Sequence, residues 1–288
     1  RLCPVDWVAA AKFAFGLSLA VLVFGSGLGA RFGDVAALLR RPGLLARSLL
    51  AVLVVAPVLA LTLVAIFNLD HDIAIALVAL SVSPLPPLLP SRSGKAGGKP
   101  EYGFGLVLVL AVLAVPSILL SAEILGAVFG RDYVATPFAI ATSLLLSVLG
   151  PLLAGMLVAK VSSSTASRLE RPLHRVQLWL LPIAMVVLLI SSAPEMWGLI
   201  GNHTLMVLGI FILSAFAVGH LFGGPDRRDA TVLAFATACR HPATALALAA
   251  ANFPAADARA AVALYGLVTV AVGGVYALWN NRRPAKSM

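Results

Sequence analysis

Apolar residues fill this chain in long stretches, interrupted at intervals by short polar or charged segments. Nine such runs can be bounded, at 7–30, 45–67, 72–91, 102–122, 134–160, 176–193, 203–222, 229–252 and 258–280. An α-helix needs about 20 apolar residues to cross a hydrocarbon core about 30 Å thick. A signal peptide would explain one run at the start, whereas runs along the whole length predict an all-α polytopic membrane protein with nine transmembrane helices. The first run carries Lys12, whose ammonium is expected to snorkel to the outer surface.

Basic residues alternate between the connecting segments. Arg31, Arg40, Arg41 and Arg47 follow span 1, while the segment after span 2 has Asp70, His71 and Asp72 and no base. Arg92, Lys95 and Lys99 follow span 3; only Arg131, beside Asp132, follows span 4. Lys160, Arg168, Arg171 and Arg175 follow span 5, Glu195 follows span 6, and Arg227 and Arg228 follow span 7. Arg259 stands alone after span 8, and the tail holds Arg282, Arg283 and Lys286. Cytoplasmic loops carry the excess of Lys and Arg, so the pattern predicts the N-terminus outside and the C-terminus in the cytoplasm, in a bacterial inner membrane. The longest connection, "VSSSTASRLERPLHR" at 161–175, reads as a polar linker rather than a soluble domain.

Composition agrees with this. The chain is 60% hydrophobic and 11% charged, with a mean hydropathy of +1.00, against about 25% charged for soluble domains. A formal net charge of +9 could suggest a nucleic-acid face. The bases sit in short loops where topology accounts for them, so nucleic acid is excluded as a partner and the lipid bilayer is the expected one. Cys3 and Cys239 lie in very different settings and read as unpaired. Arg1 in place of a methionine leaves room for a preceding natural start.

Two runs conflict with their own helical pattern. Span 3 contains "SVSPLPPLLP" at 81–90, with Pro84, Pro86, Pro87 and Pro90. Each proline removes a backbone donor and clashes with the preceding turn. Either span 3 ends near Ser83, which leaves a helix too short to cross alone, or the chain unwinds at membrane depth. Unwound backbone is tolerated there only when buried in protein or lining a cavity, and this is the preferred reading. Span 8 carries the second break, in "ATACRHPATALA" at 236–247. At about 1.5 Å per residue, Pro84 lies ~18 Å into span 3 and Arg240 ~16 Å into span 8, near mid-membrane in both cases. The two spans cross in opposite directions. Paired interruptions in two inverted halves point to the binding site of a secondary transporter.

The expected substrate-binding set is therefore Arg240, His241, Pro242, Thr237 and Thr244 from span 8, with Ser83, Pro84, Pro86 and Pro87 from span 3. An arginine at the helix centre costs about 2.5–3.5 kcal/mol on insertion scales. It must regain this from carbonyls freed at the span 3 break, from water or from an anionic ligand; a tether to carbonyls and an anion-binding role are compatible. His241 is read as a hydrogen-bond donor to the substrate, with proton coupling as the alternative. His220 is expected at the interface. The glycines of "FGSGLGA", 24–30, suit helix packing, since no strand precedes them as a phosphate loop would require. His71, His174, His203, His220 and His241 show no metal-binding spacing, and no span interior pairs two carboxylates. An enzyme, a metal centre and a cofactor are not expected.

Three stretches resemble the bile acid:sodium symporter superfamily: "VLVFGSGLGARFGDVAALLRRP" at 21–42, "ALSVSPLPPLLPSRSGKAGG" at 79–98 and "DATVLAFATACRHPATALALAAANFP" at 229–254. The resemblance implies inverted repeats at about 1–127 and 128–288, a panel bundle of spans 1, 5 and 6, and a core bundle of spans 2–4 and 7–9. It also implies two broken crossover helices and anionic substrates moved by alternating access. The positions of the family's sodium-binding glutamate and glutamine correspond to Ala236 and Arg240, and its serine–asparagine pair to Leu89 and Pro90. Sodium needs several oxygen ligands, so the expectation is an organic-anion carrier without sodium coupling, Arg240 taking the place of the ion's charge and protons remaining a possible coupling partner. A membrane ligand sensor or scaffold that keeps the fold is the alternative. Arsenite or auxin-type carriers would show their own cysteine or charge patterns at the crossover, which "SPLPPLLP" does not resemble.

Overall fold

The structure is a computed structural model of the chain and describes residues 20–83, 85–129, 149–169, 172–173, 175–176, 193–200, 203–253 and 257–282. Among the described residues the secondary structure is all helical. Three helices are long and apolar enough to cross a membrane unbroken: α3 (Pro42–Phe67), α9 (Thr204–Phe222) and α12 (Arg259–Asn281). They match predicted spans 2, 7 and 9. Nearly all of predicted span 6, most of span 5 and the first part of span 1 lie outside the described residues, as do Lys12, Cys3 and His174.

The described end of span 1, α1 (Ala20–Gly29), turns by 69° into the amphipathic α2 (Phe32–Leu39). The Asp34 carboxylate accepts from the Arg31 backbone N–H at 2.8 Å and caps α2. Span 4, α6 (Pro100–Phe129), is 30 residues long and runs through Pro116, further than the predicted 102–122. The described part of span 5 is α7 (Gly150–Val161), and α8 (Ala193–Ile200) precedes α9.

Spans 3 and 8 are not rods. Span 3 divides into α4 (His71–Val82) and the short α5 (Leu89–Lys95). Span 8 divides into α10 (Arg227–Ala238) and α11 (Pro242–Asn252). α4 packs beside α11, and α5 beside α10. The first half of each broken span thus lies against the second half of the other, which brings the two interruptions together.

Small residues set the closest approaches. A Cβ on Gly27 would stand 2.3 Å from the Leu152 carbonyl oxygen, and one on Gly155 2.3 Å from the Phe24 oxygen. Spans 1 and 5 therefore touch backbone to backbone, as small-residue faces in membranes allow. α9 and α10 do the same through Gly219, whose Cβ would meet the Leu233 oxygen at 2.4 Å.

The loops sort by charge. At one end Arg41 pairs with Asp229 at 2.6 Å, and Lys99 pairs with Asp226 at 2.5 Å and Asp229 at 3.2 Å. The Arg227 guanidinium donates to Asn280 Oδ1 at 2.8 Å, and the Asn281 side chain donates to the Lys95 carbonyl at 3.1 Å. Segments following spans 1, 3, 7 and 9 thus share one end. The His71 ring stands edge-on to Phe253 with centroids 6.0 Å apart, joining segments from the other set.

Candidate functional site

The first break begins where α4 stops at Ser83. The Ser83 backbone turns extended (φ −67°, ψ 149°), the conformation that a following proline imposes. Its hydroxyl turns back to donate to the Leu80 carbonyl at 2.8 Å. Pro84 lies outside the described residues. The Pro86 carbonyl accepts from the Leu89 N–H at 3.0 Å where α5 starts. Pro87 is buried and Pro86 half-buried.

The second break is three residues long. Cys239 and His241 are both extended, and Pro242 opens α11, where its missing N–H costs no hydrogen bond. The His241 Nδ1 accepts from the Thr244 N–H at 3.3 Å and lies 3.2 Å from the Thr244 hydroxyl. This is an N-cap made by an imidazole. It fixes the tautomer: with Nδ1 accepting, the ring proton sits on Nε2, which is then a donor. The Thr237 hydroxyl donates within its helix to the Leu233 carbonyl at 2.8 Å. The Tyr265 hydroxyl from α12 donates to the Ala238 carbonyl, the last of α10. The sequence offers no other signal for this tyrosine than a polar tip within the first third of its span.

Arg240 joins the two breaks. Its Nη1 donates to the Ser83 carbonyl at 3.4 Å and its Nη2 to the Val52 carbonyl at 2.9 Å. The side chain is 4% exposed, and its Nε has no partner. Val52 lies in a π-helical segment, Leu50–Val55, of α3. There the Ala56 N–H bonds the Ala51 carbonyl, and the next residue, Pro57, has no N–H. The Val52 oxygen is left without a helical donor, and the guanidinium supplies one. Pro57 was the sequence signal for this partner.

Ser83, Thr237, Arg240 and His241 are all buried, while Pro242 and Thr244 are half-buried. The crossing is closed to solvent in this conformation. Arg92, on α5, is half-buried, and α5 packs against α10. An open groove of about 480 Å³ lies elsewhere, between α9 and α12, lined by Phe216, Tyr276 and Trp279. There the His220 Nδ1 is 2.7 Å from the Tyr276 hydroxyl, an aromatic and imidazole cluster of the kind found at interfaces.

At the charged end, burial alone would push the Asp226 carboxyl up. The Lys99 ammonium and the backbone N–H groups of Arg228 and Asp229 more than offset this, and its pKa falls below 3.8. Burial likewise disfavours the Lys99 charge, but hydrogen bonds to Asp226 and Asp229 carry its pKa above 10.5.

The Sodium Bile acid symporter family matches residues 16–196, more than half of the chain, and the match includes the first break. The chain belongs to the sodium bile acid symporter family. It is thus an integral membrane protein and a transporter of the bile acid symporter type, from a family that carries rather than transforms its substrates. Comparison with curated proteins gives no match. The second break lies beyond the residues that the sodium bile acid symporter family covers, so what is said of Arg240 and His241 rests on their geometry.

Proposed function

We propose that this transporter moves a small organic anion by alternating access and binds it where the two broken spans meet. The observation that carries this reading is Arg240: a guanidinium 4% exposed, with Nε unpartnered, tied to two main-chain carbonyls and to no carboxylate among the described residues. A cation buried at membrane depth calls for an anion or water to offset its desolvation. In the occupied state Arg240 pairs with the anion and His241 Nε2 donates a hydrogen bond. Ser83, Thr237 and Thr244 add polar hydroxyls around the anion, and Pro84, Pro86, Pro87 and Pro242 shape the backbone about them.

Nine spans form two inverted halves, about 1–127 and 128–288, with a panel of spans 1, 5 and 6 rocking against a core of spans 2–4 and 7–9. The N-terminus lies outside and the C-terminus in the cytoplasm of a bacterial inner membrane. The clustering of Arg41, Lys99 and Arg227 at one end supports this orientation, because basic residues concentrate on the cytoplasmic side. Transport is independent of sodium. Arg240 occupies carbonyls of Val52 and Ser83 that a hard cation would need, and Ala236 brings no oxygen.

The test is uptake of small carboxylates into proteoliposomes with sodium, with potassium and with a pH gradient. Sodium-independent uptake, abolished in Arg240→Ala while the variant stays folded in the membrane, is the expected result. Unchanged uptake in that variant removes Arg240 from the site. Ligand-induced stabilisation without flux would instead identify a sensor.

A further inference from the structure

We infer that the groove between α9 and α12 is a binding site for an anionic phospholipid, with one acyl chain in the groove and the phosphate held by Arg282. The site is separate from the crossing of the two breaks and from the anion carried there.

One face of each helix builds the groove. Phe216, Ala217 and His220 line it from α9, and Tyr276 and Trp279 from α12, at the spacings of three and four residues that share a helix face. Its floor is aromatic. The Phe216 and Tyr276 rings stack with centroids 5.1 Å apart, and Trp279 lies 5.7 Å from both Tyr276 and His220. The His220 Nδ1 and the Tyr276 hydroxyl, 2.7 Å apart, satisfy each other, which leaves the channel apolar. Leu213 and Leu221, at its two ends on α9, are exposed, so between two membrane spans the groove opens sideways to hydrocarbon. From Leu213 to Leu221 it runs about 12 Å along the helix, close to the ~15 Å of hydrocarbon in one leaflet. An acyl chain of that leaflet fits it lengthwise.

Charge selects the lipid. The Arg282 N–H bonds the Leu278 carbonyl at 3.2 Å, so Arg282 continues α12 and sits one turn beyond Trp279 on the same face. It is exposed and enters no ion pair among the described residues. The Arg227 guanidinium rests on the same last turn, donating to Asn280 Oδ1 at 2.8 Å. Asp226 and Asp229, the carboxylates of this end, are engaged by Lys99 and Arg41. Two guanidinia therefore outweigh the partial charge of about −0.5 at the α12 C-terminus, and a phosphate meets positive charge where the groove ends. Trp279 stands between chain and headgroup, the depth at which membrane tryptophans collect. A second copy of the chain suits the groove less, because a twofold axis along the membrane normal would bring two Arg282 ends together.

The experiment reconstitutes the protein in phosphatidylcholine vesicles holding a minor fraction of brominated lipid, either phosphatidylglycerol or phosphatidylcholine. Bromine quenches tryptophan on contact, and the signal that disappears in Trp279→Phe reports the groove. Wild-type Trp279 should be quenched as though phosphatidylglycerol were enriched about fivefold, the scale of one arginine at an anionic lipid surface. Arg282→Gln should remove the enrichment, and raised salt should weaken it. Ala217→Phe, which fills the groove, should lower quenching of Trp279 by both lipids. Quenching of the remaining tryptophans checks that each variant is folded in the bilayer. Equal quenching by the two lipids overturns the inference, as does an enrichment that survives Arg282→Gln or quenching unaltered in Ala217→Phe. Quenching of Trp279 by neither lipid overturns it too, and assigns the groove to a second copy of the chain.

Discussion

The Arg240 guanidinium donates to the Val52 carbonyl at 2.9 Å, across 188 residues of sequence, because the π turn sends the Ala56 N–H to Ala51 and Pro57 has none to offer in its place. Replacing Pro57 by alanine gives the helix back an N–H that competes with Arg240 for this oxygen. The expected outcome is a protein more stable by about 1 kcal/mol or more, since an interior proline strains its helix, but slower in anion uptake. Thermal unfolding in detergent and initial uptake rates measure the two effects. Faster uptake would mean that the tether restrains the site instead of forming it.

His241 combines an N-cap with a free donor, and the two can be separated. Asparagine caps a helix well but has no group at the Nε2 position, whereas alanine does neither. His241→Ala should lose about 1 kcal/mol of stability, and His241→Asn much less. Both should bind the anion more weakly. If His241→Asn transports like the wild type, the imidazole serves the helix alone.

The contact between spans 1 and 5 has no room for a methyl group. Gly27→Ala forces a Cβ to 2.3 Å from the Leu152 carbonyl, and the helices must part. Gly33, on α2, has nothing within 4 Å of its Cβ position, so Gly33→Ala should gain about 0.5–1 kcal/mol of helix propensity. The paired variants should move the unfolding temperature in opposite directions. A Gly27→Ala protein as stable as the wild type would rule out the close approach.

The charged end sets a pH window. The Asp226 pKa is depressed in the folded state, so its contribution is present above about pH 3.8 and is lost as the pH falls through the lowered value. The Lys99 pKa is raised, so its contribution holds below about pH 10.5 and fades as the pH climbs through the raised value. Stability lost in Asp226→Asn should therefore be constant from about pH 5 to 9 and shrink on acidification. A transition near neutrality in the difference between variant and wild type would contradict the assignment.

Much of this architecture was legible from residue order. The prolines around 84–90 and at 242 announced both breaks, because no helix can hydrogen-bond through them at that density. The carbonyl tether of Arg240 was foreseen in kind at Ser83. Its second acceptor was not, since a main-chain oxygen has no sequence letter. Arg92 was read as a loop charge that orients the protein. The packing of α5 against α10 instead leaves it half-buried.

The π segment has one more consequence. Ser48, Val52, Ala56 and Ala60 are all buried and recur every fourth position, a period that on an ordinary helix would wander steadily around the cylinder. A single wide turn takes up one surplus residue and brings the wandering stripe back toward the interior. Removing any one residue from this stretch would rotate the far half of the span by about 100°, exposing the stripe to lipid and silencing the oxygen that holds Arg240.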